Sequence, residues 1–360
     1  MSSAGSLRRP EGFGDFIDLS KRIGSDILKT QGAGGNTSIK HADTMWVKAS
    51  GTWLAHAGES DIMVPVAVSP LVQALRQADP RAEKATDFVI TDLNESGLRP
   101  SIETSFHAAL LNPVVAHYHC VNTIALAVLE RRQELLGERL AKLTDLRWVT
   151  IPYRRPGTPL AREIDLVASE RPDVLVLFNH GIIVCGETTG EVSKRIERVT
   201  AALTVAAREI PDPDMEALTM LASGSGYRPA TDPASHKTAL CPIAMEIALG
   251  GSLYPDHVIF LGRKLGLLGE GQTVQELIAE YQQRGEEPPK MVIVPGKGVL
   301  VSQTLTPGGE AMVRCLAEVV TRIPAGEKIV YLNEAQELEL TNWEAEQYRQ
   351  ALDRKVAGQA

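Results

Sequence analysis

No run of about 18 consecutive apolar residues occurs in the sequence, so no membrane-spanning helix is expected. The opening stretch MSSAGSLRRPEGFGDF carries two arginines with no apolar core behind them, which argues against a secretory leader and for a cytoplasmic protein. Cysteine is scarce, and Cys120, Cys185, Cys241 and Cys315 lie far apart without paired spacing. That excludes a disulfide frame or a zinc knuckle and reads as free, mostly buried thiols. Positive charge is not in excess: 37 Lys and Arg face 45 Asp and Glu, and a formal net charge of −8 disfavours nucleic acid as a partner. Gly-Lys-Ser/Thr is absent, so there is no Walker loop. No internal repeat or low-complexity tract is present.

What is there suits a folded enzyme-sized chain. At 360 residues, 44% apolar and 23% charged, it can build one large or two ordinary globular domains. FGDFIDLSKRIGSDILKT carries a helical apolar stripe and ends in glycines at 32, 34 and 35, where the backbone can turn tightly and bring amides to an anion. The same stretch equally suits a helix cap followed by a turn. SIK-HADT-MWVKASG predicts a β-hairpin with His41 to Thr44 as its turn, delivering Lys48, Ser50 and Gly51 near the glycines. DIMVPVAVS predicts another strand, and TIALAVLERRQELLGERLAKL and GEVSKRIERVTAALTVAAREI predict long helices. Residues 1–210 are expected to form the main domain and 211–236 a turn-rich linker. Residues 237–360 are expected to form a smaller α/β unit with strands at DHVIFLG, MVIVPGKGVLV and EKIVYL. Thr341 to Glu344 reads as a capping box opening a closing helix.

The chemistry gathers in Pro100 to Cys120, PSIETSFHAALLNPVVAHYHC. Ser101 can accept from the first-turn amides of a helix that Asn112-Pro113 ends. VVAHYHC then reads as a buried strand, in which residues i and i+2 share a face, so His117 stands beside His119 with Tyr118 turned away. Two imidazoles make half of a zinc site, and a catalytic site takes about three protein ligands plus an open position. The best third donor is His180, in the apolar run VLVLFNHGIIV. Glu103 lies one helical turn before His107, from where the helix can aim a carboxylate at the metal or at a substrate atom beside it. A histidine alone in an apolar strand is an ordinary core residue, and the combination with Glu103 and His180 is what points to metal. WVTIPYRRPGTP sets Tyr153 beside Arg154 and Arg155, a source of a proton and of charge near an anionic site, or a solvated loop.

Taken in order, GGNTS, KASG, PSIE with FH following, HYH, PYRRPGT and NHG resemble the class II aldolase and adducin family over roughly residues 13–208. The resemblance implies an α/β fold of α-β-α layers. Its central, mainly antiparallel sheet is flanked by helices, and it assembles as homo-oligomers, typically tetramers. By the same resemblance His117, His119 and His180 bind Zn²⁺ or another divalent metal, and Glu103 is the catalytic carboxylate. Asn36, flanked by Gly35 and Thr37, matches phosphate-binding positions, as do Ser50, Gly51 and Ser101, and Tyr153 is a candidate acid. The implied reaction cleaves a ketose 1-phosphate, rhamnulose- or fuculose-phosphate-like, to dihydroxyacetone phosphate and an aldehyde through a zinc-stabilised enediolate. Sugar-phosphate 4-epimerases and sugar-acid decarboxylases use the same site, and a non-catalytic adducin-like binding protein is the alternative of another class. Fuculose-phosphate aldolase has a second serine before the glutamate. Here that position is Ile102, which leaves an unphosphorylated acid open as substrate. YPDHVIFLG, VIVPGKGVLV and NEAQELELTNWEAEQYRQA resemble the extended aldolase half of bifunctional rhamnulose-phosphate aldolase/short-chain dehydrogenase proteins.

Overall fold

The computed structural model describes residues 9–341 and residue 352. The chain divides into two units: residues up to Thr123 with Gln133–Thr204, and Ile124–Arg132 with the residues from Val205 onward.

The first unit is built on seven strands, β1 (Asn36–His41), β2 (Thr44–Lys48), β3 (Met63–Ala67), β4 (Val114–Tyr118), β5 (Trp148–Ile151), β6 (Val174–Leu177) and β7 (Gly181–Gly186). They lie in the order β3-β2-β1-β4-β7-β6-β5. Every neighbouring pair is antiparallel except β5 and β6. Parallel strands need a crossover, here a helix of residues 158–168. The helices of this part of the chain are α1 (Phe13–Ser25), α2 (Val68–Arg76), α3 (Thr104–Ala109), α4 (Val121–Ala127), α5 (Arg132–Leu140), α6 (Thr158–Ala168) and α7 (Thr189–Leu203). Helices α1 and α7 cover one face of the sheet, while α2, α3 and α6 pack together over the other. On that second face Met45, Val47, Val64 and Val66 meet Leu71, Leu75, Phe106, Leu160 and Ile164 in one buried cluster. Each such side chain contributes roughly 1.5–3 kcal/mol by leaving water. The expected α-β-α layering with a mainly antiparallel sheet is what the structure shows.

Period-2 alternation makes β1 a two-sided strand. Asn36 and Ser38 face α3, and Thr37 faces α1. The stretch expected as one helix after His119 is two, α4 and α5, interrupted at residues 128–131. There the backbone pairs instead, with Val330 N–H donating to Val128 O and Glu130 N–H to Lys328 O.

The second unit carries β8 (Tyr227–Pro229), β9 (Gly266–Leu267), β10 (Met291–Val294) and β11 (Gly298–Ser302) in the order β8-β11-β10-β9. Its further helices are α8 (Met215–Ala222), α9 (Lys237–Leu240), α10 (Pro242–Leu249), α11 (Val274–Gln283), α12 (Pro307–Val320) and α13 (Glu334–Thr341). Three expectations need correction. The segment 211–236 is no linker, since it supplies α8 and an edge strand of this sheet. DHVIFLG is a π-helical turn over His257–Leu261, all five residues buried. A short apolar run buried on every side has no period that separates strand from helix. EKIVYL forms only an isolated bridge, Ile329 to Leu129. The capping box read at Thr341 to Glu344 lies outside the described residues beyond Thr341, which ends α13.

Candidate metal centre

Strand register decides where the imidazoles go. Asn36 on β1 pairs directly with His117 on β4, and His117 in turn with Ile183 on β7. Directly paired residues share a face, so Asn36 and His117 both look toward α3. His119 follows one residue after β4 ends, its carbonyl accepting from Gln31 Nε2 at 3.3 Å. His180 sits in the three-residue connection between β6 and β7, just after Asn179, whose φ of 52° turns the chain through the left-handed region. Their ring centroids lie 5.0, 4.9 and 5.1 Å apart.

All three rings are buried, and one nitrogen of each falls within 4.8 Å of the others. His117 Nδ1 donates to Ile182 O at 3.1 Å, which leaves the lone pair on Nε2. That Nε2 is 3.2 Å from His119 Nε2. A tetrahedral ion with Zn–N bonds of about 2.0–2.1 Å would hold its nitrogens roughly 3.3 Å apart. Donor type, spacing and fixed tautomer therefore fit a divalent cation, and the expectation that His117, His119 and His180 converge is met.

Glu103 caps the start of α3, one residue before its first turn, and stands against this cluster. Its Oε2 is 3.4 Å from His117 Nε2 and its Oε1 3.5 Å from His180 Nε2. Burial raises its pKa, but the imidazoles of His117, His180 and His119 and the amide of Asn36 outweigh that, holding the carboxyl below its ordinary value. The carboxyl group thus stands beside three imidazole nitrogens.

Behind it runs a buried chain of hydrogen bonds. Asn36 Nδ2 donates to Glu103 Oε2 at 2.8 Å and to Ser101 Oγ at 3.0 Å. A carboxylate only accepts, so this end of the amide is the NH₂, and Asn36 Oδ1 must accept from His107 Nε2. His107 Nδ1 then accepts from the Ser38 hydroxyl at 2.7 Å. Burial, with His117 and Lys40 nearby, holds the His107 pKa well below its ordinary value, so the ring is neutral. Sequence reasoning gave His107 no role beyond its place one turn after Glu103, and did not bring Ser38 to it. The spacings 36/38 and 103/107 were visible, but that one pair meets the other depends on α3 packing on β1.

Ser101 Oγ also accepts from Glu103 N–H at 3.2 Å, as expected of a residue opening a helix. Backbone bonds from Ser50 N–H to Arg99 O and from Ser101 N–H to Lys48 O lay Ser50 and Gly51 alongside Ser101. Lys48 is buried and ties the glycine loop to this turn, donating to Ala33 O at 2.9 Å and to Thr52 O at 2.6 Å. Gly35 has φ +62°, and a Cβ there would meet His117 O at 2.9 Å, so its lack of a side chain serves the approach of the loop to β4. Thr37 is not brought to the site: on the opposite face of β1, its Oγ1 lies 2.7 Å from Ser20 Oγ of α1. Tyr153 follows β5, three places from β4 or roughly 14 Å of strand spacing. Its loop opens from the same end of the sheet as His117 and His180, because β4, β5 and β6 run in one direction. In the second unit His257 is buried and accepts from Leu253 N–H, while Lys297 is half-exposed beside Asp214 at 3.6 Å.

The family model for the class II aldolase and adducin N-terminal domain matches residues 18–207, more than half of the chain. The chain belongs to the class II aldolase and adducin family. It is similar to the "uncharacterized oxidoreductase YuxG" of Bacillus subtilis (strain 168). The two are 29% identical over 194 residues, 50% of this chain and 27% of that protein. The chain thus spans about a quarter of that relative's length. Among solved structures, the N-terminal class II aldolase domain of a conserved protein from Thermoplasma acidophilum is 24% identical. The match covers 56% of this chain and 97% of that one at a TM-score of 0.46. A sugar-phosphate aldolase from Thermotoga maritima is 16% identical over 54% of this chain and 92% of its own, at a TM-score of 0.43. Among the described residues of this class II aldolase-family member, no helix is long and apolar enough to cross a membrane.

Proposed function

We propose that the protein is a divalent-metal aldolase, with zinc as the ion, that cleaves a ketose 1-phosphate to dihydroxyacetone phosphate and an aldehyde. The observation that carries this is the seat of Glu103, a buried carboxyl group 3.4 and 3.5 Å from nitrogens of two of the three converging imidazoles. When bound among His117, His119 and His180, a divalent ion supplies Lewis-acid polarisation of a substrate carbonyl. Glu103 moves the proton at the adjacent carbon, removing it in the synthetic direction and returning it in cleavage. Both acceptor positions of the Ser101 hydroxyl are filled, by Asn36 and by Glu103 N–H, so its proton is left to donate to a substrate oxygen. Ser50 and Gly51 lie beside it, where a phosphate would be held. Tyr153 is assigned the proton on the aldehyde oxygen, on the ground that its loop opens from the same end of the sheet. Assembly as a homo-oligomer in the cytoplasm belongs to the same proposal.

A second reading is favoured by one position. Ile102, half-buried next to Ser101, offers no hydroxyl to a phosphate, which suits a sugar acid and decarboxylation or epimerisation on the same residues. The test is a retro-aldol screen of ketose 1-phosphates with zinc, run beside a chelator control and the Glu103→Gln variant. Expected are aldehyde release that the chelator abolishes and a variant that keeps its metal yet loses about 10²–10⁴-fold in turnover. Undiminished cleavage by Glu103→Gln rejects the role of Glu103. Carbon dioxide or an epimerised sugar phosphate as product selects the second reading.

A further inference from the structure

We infer that His107 is a positioning residue, holding the Asn36 amide the right way round so that its N–H, and not its oxygen, faces the Glu103 carboxylate. The inference rests on the reading of Glu103 as the group that moves the proton.

Four residues from two elements form one chain of hydrogen bonds. Ser38 and Asn36 stand two apart on one face of β1, and Glu103 and His107 stand four apart on the start and body of α3. Ser38 meets His107, and Asn36 meets both His107 and Glu103. All four side chains are buried, so none can exchange its partner for bulk water. The ends of a carboxamide are nearly the same size, and the third neighbour, the Ser101 hydroxyl, can either donate or accept. Ser101 therefore does not choose the amide's orientation. The Glu103 carboxylate, which only accepts, takes the N–H end, and His107 holds the other: its Nε2–H donates to Asn36 Oδ1 while its Nδ1 accepts from the Ser38 hydroxyl. With the oxygen engaged there, the amide N–H points at Glu103. Without His107 the buried amide oxygen has lost its donor and the amide its second anchor, so Asn36 shifts and Glu103 loses the N–H that holds it facing His117 and His180.

A mere tie between helix and strand would contribute stability and nothing else, and the two roles part in kinetics. His107→Leu, assayed as the zinc-loaded full chain, is expected to lose roughly 100-fold in kcat with KM within about threefold, the signature of a misplaced reacting group. Zinc content should stay at one per chain. His107→Gln, whose side-chain N–H can reach Asn36 Oδ1, should recover at least tenfold of the loss. The side-chain amide resonances of ¹⁵N-labelled Asn36 should shift in His107→Leu and return toward wild type in His107→Gln. An unchanged kcat in His107→Leu overturns the inference. So does a kcat that merely tracks lost zinc or lost folding across His107→Leu, His107→Gln and Ser38→Ala. Should the wild type turn over no ketose 1-phosphate, the functional proposal fails, and the amide resonances decide the orientation by themselves. Resonances that do not respond to His107 then overturn it.

Discussion

Gly181 lies so close to the end of β4 that a Cβ on it would sit 2.7 Å from Tyr118 O, 3.2 Å from His119 Cδ2 and 3.4 Å from His117 Cε1. The space between strand and imidazoles is filled by backbone alone. Gly181→Ala should therefore push the rings apart. Zinc stoichiometry measured after gel filtration is expected to fall well below one per chain, with a loss of stability of about 1–3 kcal/mol from overpacking. Full metal retention would show that the rings have room to spare.

Metal should also stabilise the fold. An ion that binds only the native state adds RT ln(1 + [L]/Kd), about 2.7 kcal/mol at one hundred times Kd. Stripping with a chelator is expected to lower the melting temperature of the wild type, and added zinc to restore it. His180→Ala should already melt at the lower temperature and respond to neither, and a wild-type profile in that variant would remove residue 180 from the ligand set.

Thr37 separates a structural from a substrate-binding role. Its hydroxyl is 2.7 Å from Ser20 Oγ, on the α1 side of the sheet. Thr37→Val is expected to cost about 1 kcal/mol of stability and to leave KM for the sugar phosphate within about twofold. A large rise in KM would return Thr37 to the site.

Acid sensitivity follows from His257. Burial lowers its pKa from the ordinary 6.5 to about 4, so between those values the unfolded chain takes up a proton that the folded chain refuses. Above about pH 6.5 both states are neutral there and nothing is lost. As the pH falls from 6.5 toward 4 stability declines, by on the order of 2–3 kcal/mol in all for this group. His257→Gln should flatten the dependence by about one proton, read as the difference between wild-type and variant urea midpoints at pH 7 and pH 5. Parallel curves would mean that His257 is protonated in the folded chain.

Much of the site was legible from residue order, because its strongest features are local. A His-x-His in a strand shares a face whatever surrounds it, and Asn-His-Gly within an apolar run offers a third imidazole. What failed locally did so where environment overrides pattern. His257–Leu261 is apolar and buried all round, so it coils where a strand was expected. Residues 128–131 leave helix because the backbone at Val128 and Glu130 finds partners at Val330 and Lys328.

By itself the sequence determined the donor set: three imidazoles, one carboxylate and the glycines that let a loop approach them. Tertiary structure alone decided their relations. Asn36 reaches Ser101, Glu103 and His107 across 65, 67 and 71 residues of chain, and Thr37, its neighbour, is turned to the other face. The reason is physical: side-chain period is set over a few residues, whereas a buried hydrogen bond needs register and helix packing to bring distant groups within about 3 Å of each other.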